Sequence, residues 1–208
     1  MQPGDWRKLL GGLSTGLCFT GALLVVSAVD LTRSAETRQA WRASTSTNLD
    51  NLHHHPVAAI AISPFLTDGY TWLWIALSLI GLAAIGRVLG NVRTAILALA
   101  AHVLATLVSQ GILAARIAAG SVSPQARHVI DVGPSYIAVG ALVAAIGYGT
   151  WPGRLLSVAG FAVVAPYLFV GLQDWGVAET GHTCAVIIGL LLGYLLRKTR
   201  ADTGATSP

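Results

Sequence analysis

Long apolar runs separated by short charged segments constrain this chain more than any other feature. Six such runs can be drawn: Leu9–Val29, Tyr70–Gly86, Thr94–Ala115, Ile137–Trp151, Leu155–Leu172 and Gly181–Leu196. Hydrophobic residues make up 54% of the 208 residues and charged residues only 11%, which excludes an ordinary soluble surface. Because a transmembrane helix needs about 20 apolar residues, the pattern predicts an all-α membrane protein with six transmembrane helices. The fourth and sixth runs are the short ones.

The distribution of basic residues predicts the orientation of these spans. With the amino terminus in the cytoplasm, eight of the thirteen Lys and Arg residues fall on the inner side: Arg7, Lys8, Arg87, Arg93, Arg154, Arg197, Lys198 and Arg200. The positive-inside rule therefore predicts cytoplasmic termini and a multi-pass protein of the plasma membrane. Since the basic residues are scattered at span ends, the net charge of +4 indicates the orientation of the spans in the membrane and does not indicate a nucleic-acid partner.

The chain is predicted to form one membrane domain over residues 1–200, followed by a disordered cytoplasmic tail at 201–208. An unusually long outer loop, residues 30–69, joins the first two spans. It combines a polar stretch with the apolar sequence "VAAIAISPFL". We therefore expect part of this loop to lie against the membrane surface.

Two residues of catalytic type stand at the outer ends of the two short spans. Ser135 lies 16 residues before Trp151, and His182 lies 15 residues before Arg197. At about 1.5 Å per residue, both lie roughly 22–24 Å above the cytoplasmic side. The sequence thus predicts Ser135 and His182 at the same depth, where Gly133-Pro134 bends the chain before the fourth span.

Serine and histidine at one depth suggest a catalytic pair. A serine hydroxyl becomes a good nucleophile when a base removes its proton, and histidine is the usual base at neutral pH. A helix start also favours an oxyanion, because its amides are unpaired. Two other interpretations remain open: Ser135 as a helix cap, and His182 as the donor or acceptor of an interhelical hydrogen bond.

Small residues on both short spans predict that their backbones come close. One helical stripe of the sixth span contains His182, Ala185, Gly189 and Gly193. The fourth span offers Gly140, Ala144 and then Gly147 or Tyr148. Such stripes allow transmembrane helices to approach each other closely, which would bring Ser135 within reach of His182.

These motifs resemble the rhomboid intramembrane serine proteases over roughly residues 60–196. "GPSY" matches three of the four positions of the family's Gly-x-Ser-Gly motif, and "GHTCAVIIGLLLGYLL" is similar to its sixth-helix pattern. "GRVLGNVRTAILALAAHV" is similar to the join between its second and third spans. The resemblance implies a rhomboid-like fold, a Ser135/His182 dyad, cleavage of transmembrane protein substrates in the bilayer, and no cofactor.

The sequence departs from that family at two places. Tyr136 stands where a glycine is expected after the nucleophile, and the second span lacks the histidine and asparagine that help to hold the oxyanion. Counted along the sequence, Trp72 and Ala76 occupy their places. Possible substitutes come from the outer loop: Asn48, Asn51 and His53–His55. These departures favour an alternative, a non-catalytic relative that binds transmembrane segments.

The remaining polar residues support weaker hypotheses. His102 is expected to make an interhelical hydrogen bond, and Asp131 either orients a base or is a solvated loop acid. Adjacent histidines such as His53–His55 seldom all bind one ion, so no metal site is predicted. A third possibility, a small transporter or haem-binding protein, would depend on histidines other than His182.

Overall fold

The computed structural model describes residues 11–205, and within this range the chain is helical with no strands. The helices are α1 Ser14–Leu31, α2 Ala35–Thr45, α3 Leu49–His54, α4 Pro56–Ile62, α5 Thr71–Leu89, α6 Asn91–Ala118, α7 Ser135–Tyr148, α8 Trp151–Leu168 and α9 Val177–Ala205. Short 3-10 turns lie at Ser63–Phe65, Pro124–His128 and Leu172–Asp174. The predicted all-α class is confirmed.

Each of the six predicted spans coincides with one of the longer helices. Within residues 11–205, four helical segments are long and apolar enough to cross a membrane: Ser14–Leu31, Thr71–Leu89, Asn91–Ala118 and Val177–Arg200. The fourth predicted span is the shorter apolar helix α7, of 14 residues. The fifth is α8, of 18 residues. The structure is compatible with six crossings, and the crossings by α7 and α8 stay predictions.

Helix α7 forms the centre of the molecule. Every residue from Tyr136 to Ala145 is buried, and the helix packs against α5, α6, α8 and α9. A helix that is apolar on all sides, as this one is, belongs inside a bundle. The short fourth span is therefore the core around which the longer helices pack.

Helices α7 and α9 approach each other through the small residues that the sequence singled out. A Cβ atom on Gly189 would lie 2.5 Å from the Gly140 carbonyl oxygen, and one on Gly193 would lie 3.1 Å from the Ala144 Cβ. These distances leave no space for larger side chains between the two backbones. The predicted close approach of the fourth and sixth spans is present.

The long outer loop folds into α2, α3 and α4 and is fastened to the spans. The Arg42 guanidinium forms a 2.7 Å ion pair with Asp30 at the end of α1 and donates to the Thr67 carbonyl at 2.9 Å. His102 of α6 donates from Nε2 to the Ile60 carbonyl of α4 at 3.1 Å. His102 therefore links α6 to the loop, as expected. Contact of the loop with the membrane surface stays a prediction.

The final helix is longer than the sixth predicted span. Helix α9 continues to Ala205, into the segment predicted to be a disordered tail. Residues 206–208 lie outside the described part of the chain. The first span was predicted to begin at Leu9, whereas α1 begins at Ser14; residues 9 and 10 lie outside the described range.

Candidate functional site

The site begins at the turn that leads into α7. Gly133 has a φ of 130°, a conformation that strains any residue with a Cβ. Its amide donates to the Ser63 carbonyl of the outer loop at 2.9 Å. Pro134 follows, and α7 begins at Ser135. The Gly-Pro bend predicted from the sequence therefore sets the start of α7. The same bend is hydrogen-bonded to the outer loop through the Gly133 amide.

His182 lies in the first turns of α9, with a single orientation fixed by α8. Its Nδ1 is 3.0 Å from the Leu168 carbonyl oxygen. Since a carbonyl can only accept, Nδ1 carries the proton and the neutral ring has its lone pair on Nε2. Nε2 is buried and has no hydrogen-bond partner among the described residues. Nε2 of the neutral imidazole is therefore a hydrogen-bond acceptor without a donor among the described residues.

The ring that packs against His182 belongs to Tyr136. The two ring centroids are 5.4 Å apart with their planes at 72°. The tyrosine ring also lies against Gly181, where a Cβ would come 2.2 Å from the tyrosine Cζ. The start of α7 is therefore at the level of His182, as the depth calculation predicted.

Helical periodicity explains why Tyr136 is the residue that faces α9. The small stripe of α7 runs through Ala144 and Gly140, and one further turn of four residues leads to Tyr136. Ser135 is one residue off this stripe, about 100° around the helix. It is half-buried at the amino end of α7. The structure thus brings Tyr136 against His182 and places Ser135 beside that contact.

Asp131 holds the tyrosine hydroxyl. The Tyr136 hydroxyl lies 3.1 and 3.2 Å from the two carboxyl oxygens of Asp131, and 3.4 Å from the Val177 carbonyl oxygen. Burial of the carboxyl group raises the pKa of Asp131, and the hydrogen bonds from Tyr136 and Thr47 oppose this rise. Asp131 is therefore a partly buried acid whose carboxyl oxygens are hydrogen-bonded, rather than a fully solvated loop acid.

An apolar cavity of about 480 Å³ opens between α5 and α8, with His182 among its lining residues. The other lining residues are Tyr70, Leu73, Trp74, Val163, Val164, Tyr167 and Leu168. Tyr70 and Tyr167 are largely exposed at its rim, with 82% and 78% of their surface accessible. The cavity thus joins the outside of the helix bundle to the imidazole.

The residues of α5 near His182 differ from those inferred by counting. Trp72 and Ala76 are exposed on the outside of the bundle, whereas Leu73 and Trp74 line the cavity. The register counted from the sequence is therefore wrong at this helix. Trp74, which the sequence did not single out, carries an indole N–H that is a hydrogen-bond donor.

The outer-loop residues considered as substitute donors have other partners. The Asn48 side chain accepts from the Asn51 amide at 2.9 Å, and the Asn51 side chain donates to the Ala43 and Ser46 carbonyls. His53–His55 are exposed on the loop surface. No group of His, Cys, Asp or Glu side chains in the described range is placed to hold a metal ion.

The fold and site together define a class: a multi-pass helical membrane protein whose short central helix begins beside a histidine of the last helix. Comparison with known families is more specific. The model of the family described as rhomboid-like protein matches residues 14–203, so the chain belongs to the rhomboid-like proteins. No curated protein and no solved structure matches the chain.

Proposed function

We propose that this rhomboid-like protein binds transmembrane segments of other proteins within the bilayer and does not cleave them. The observation that carries the proposal is the Tyr136 ring packed against His182, while the His182 Nε2 atom has no hydrogen bond from Ser135. The tyrosine is held there by its hydroxyl and by its fit against Gly181. His182 then serves as the inner end of a binding cavity.

The cavity between α5 and α8 suits such a ligand. Its lining is mostly apolar, and its rim carries exposed tyrosines that a neighbouring helix could contact. Transmembrane helices associate through close packing and a few hydrogen bonds rather than through the hydrophobic effect. The concave apolar surface meets the first requirement, and His182 Nε2, which is buried beside it, supplies an acceptor once it is uncovered.

The binding proposal is tested with a dye-labelled, single-span peptide of Leu and Ala reconstituted with the labelled protein in liposomes. We expect energy transfer above that of random mixing in the membrane. Val163→Trp fills the cavity and should reduce the transfer. Val158→Trp is the matched control, because Val158 is equally exposed on α8 but lies outside the cavity. Equal transfer in the two variants would contradict the proposal.

A second candidate function is intramembrane serine proteolysis by Ser135 and His182. It is favoured by the orientation of the imidazole, whose protonated Nδ1 leaves the Nε2 lone pair as a potential general base. In this mechanism Nε2 takes the Ser135 proton, the serine oxygen attacks a peptide carbonyl, and water later hydrolyses the acyl-enzyme. Because Nε2 has no hydrogen-bond partner among the described residues, the Ser135 hydroxyl would have to move to reach it.

A serine-directed fluorophosphonate distinguishes the two functions. Labelling of the wild-type protein that is lost in Ser135→Ala would support the protease and contradict non-catalytic binding. The same weak labelling in both proteins, together with peptide binding, would support the leading proposal. The cytoplasmic location of both termini is part of the proposal and rests on the distribution of basic residues. Residence in the plasma membrane is part of the proposal as well.

A further inference from the structure

A continuous set of contacts connects the outer loop to His182. Ser46 and Thr47, between α2 and α3, bond to Asp131; Asp131 bonds to the Tyr136 hydroxyl; and the Tyr136 ring packs on the imidazole. The residues that make these contacts belong to three separate parts of the chain. A change at the loop can therefore reach His182 through two side chains.

The loop fixes Asp131 through its backbone as well as its side chain. The Asp131 amide donates to the Ser46 hydroxyl at 2.7 Å, and its carbonyl accepts from the Thr47 amide and the Thr47 hydroxyl, both at 2.9 Å. The Thr47 hydroxyl also lies 3.2 Å from one carboxyl oxygen. The loop thus fixes the backbone of Asp131, and the carboxyl group bonds to both Thr47 of the loop and Tyr136 of α7.

Tyr136 in turn has little freedom while its hydroxyl is bound. The ring occupies the space above Gly181 that a side chain would otherwise fill, and it lies between two histidine rings. The His102 ring is 6.4 Å away on α6, and the His182 ring is 5.4 Å away on α9. Holding the hydroxyl at Asp131 therefore keeps the ring against the imidazole.

We propose that Asp131 is a positioning residue that holds Tyr136 over His182, so that the Ser46–Thr47 segment of the outer loop controls access to the imidazole. The inference rests on the proposed function, because it concerns the regulation of the same cavity. A ligand or partner that displaces the loop would release Asp131, free the Tyr136 ring and uncover Nε2. The acceptor would then be available to a bound segment.

The proposal is tested by the reactivity of individual histidines toward diethyl pyrocarbonate, which acylates accessible unprotonated imidazole nitrogens. Peptide mass spectrometry resolves the sites in the intact, membrane-reconstituted protein. Exposed His53–His55 give the rate of an uncovered imidazole. His102 contacts Tyr136 and bonds to the loop, so general loosening of the fold is judged instead from His182 in Leu23→Ala, a core substitution in α1, which packs on α5 and α6.

We expect His182 to be protected in the wild-type protein. Asp131→Ala and Tyr136→Phe should each raise its reactivity by about tenfold or more relative to Leu23→Ala, since each removes the hydrogen bond between the tyrosine hydroxyl and the carboxyl group. Asp131→Asn keeps a neutral acceptor for the tyrosine hydroxyl and should restore part of the protection.

Three results would overturn the proposal. One is unchanged reactivity of His182 in Asp131→Ala. Another is an equal rise in the reactivity of His182 in Leu23→Ala, which would show that Asp131 only stabilises the fold. The last is full protection in Tyr136→Phe. The measurement does not depend on peptide binding or cleavage, so loss of the proposed function would leave a positive result intact, and the reverse also holds.

Discussion

The Tyr136 ring stands edge-on to the His182 imidazole, with 5.4 Å between the ring centroids. Such a tilted arrangement is favourable for aromatic rings in contact. The contact also explains the departure from the Gly-x-Ser-Gly pattern. A glycine at this position would leave a gap between α7 and α9 that the tyrosine fills, and the tyrosine hydroxyl in turn gives Asp131 a partner.

Removing the ring should make Ser135 reactive. In Tyr136→Gly, the space next to His182 Nε2 is open and the serine hydroxyl can rotate toward it. We expect fluorophosphonate labelling to rise roughly 10²-fold over the wild-type protein, the lower end of what a positioned general base contributes. The comparison is with the double variant that also carries Ser135→Ala. Equal labelling of the single and double variants would refute the prediction.

Gly189→Ala should destabilise the protein. The added methyl group would lie 2.5 Å from the Gly140 carbonyl oxygen, so α7 and α9 would have to separate. We expect a loss of about 1–3 kcal/mol in the free energy of unfolding, the usual cost of overpacking. Gly111→Ala on α6 is the control, because a Cβ there meets no atom within 4 Å. Unfolding in detergent with increasing denaturant measures both, and an equal effect of the two substitutions would contradict the prediction.

Asp30→Ala should loosen the outer loop. The carboxylate pairs with Arg42 at 2.7 Å, and both side chains are largely buried, with 9% and 15% of their surface exposed. Removing one partner leaves the other charge unpaired, which costs up to about 3 kcal/mol at a partly buried site. Limited proteolysis within residues 32–48 should become faster. Arg33→Ala changes an exposed side chain and should leave the cleavage rate unchanged.

The stability of the protein should depend on pH through Asp131. Burial raises the pKa of this carboxyl group in the folded state above its ordinary value of 3.8. Between 3.8 and the raised pKa, the folded protein binds more protons than the unfolded chain, so the free energy of unfolding falls as pH rises through this window. Asp131→Asn should remove that decrease. Denaturation at several pH values tests this, and identical profiles for the two proteins would count against a partly buried, titrating Asp131.

Much of the fold could be predicted because bilayer physics acts on local sequence. Backbone groups in hydrocarbon must be paired within each segment, so long apolar runs had to become helices. The small stripe Gly140, Ala144, Gly189 and Gly193 predicted which two helices approach closely. The Gly133-Pro134 bend predicted where α7 starts. Each of these features depends on spacing along a single helix or turn.

The site was harder to predict because it depends on how helices are rotated about their axes. One residue of rotation, about 100°, separates Ser135 from Tyr136, and counting along α5 chose Trp72 and Ala76 where Leu73 and Trp74 line the cavity. Tyr136 lies four residues before Gly140, so the helical periodicity of the small residues would have predicted that Tyr136 faces α9. No pattern in the sequence relates Asp131 to Ser46 and Thr47, which are more than 80 residues away.

The sequence by itself determined a helical membrane protein with a short, small-faced fourth span at the depth of His182, because periodicity and apolar length are local properties. Only the tertiary structure decided that Tyr136 rather than Ser135 lies against the imidazole and that the outer loop holds it there through Asp131. Those contacts join segments far apart in the chain, and they depend on packing that fixes the rotation of each helix.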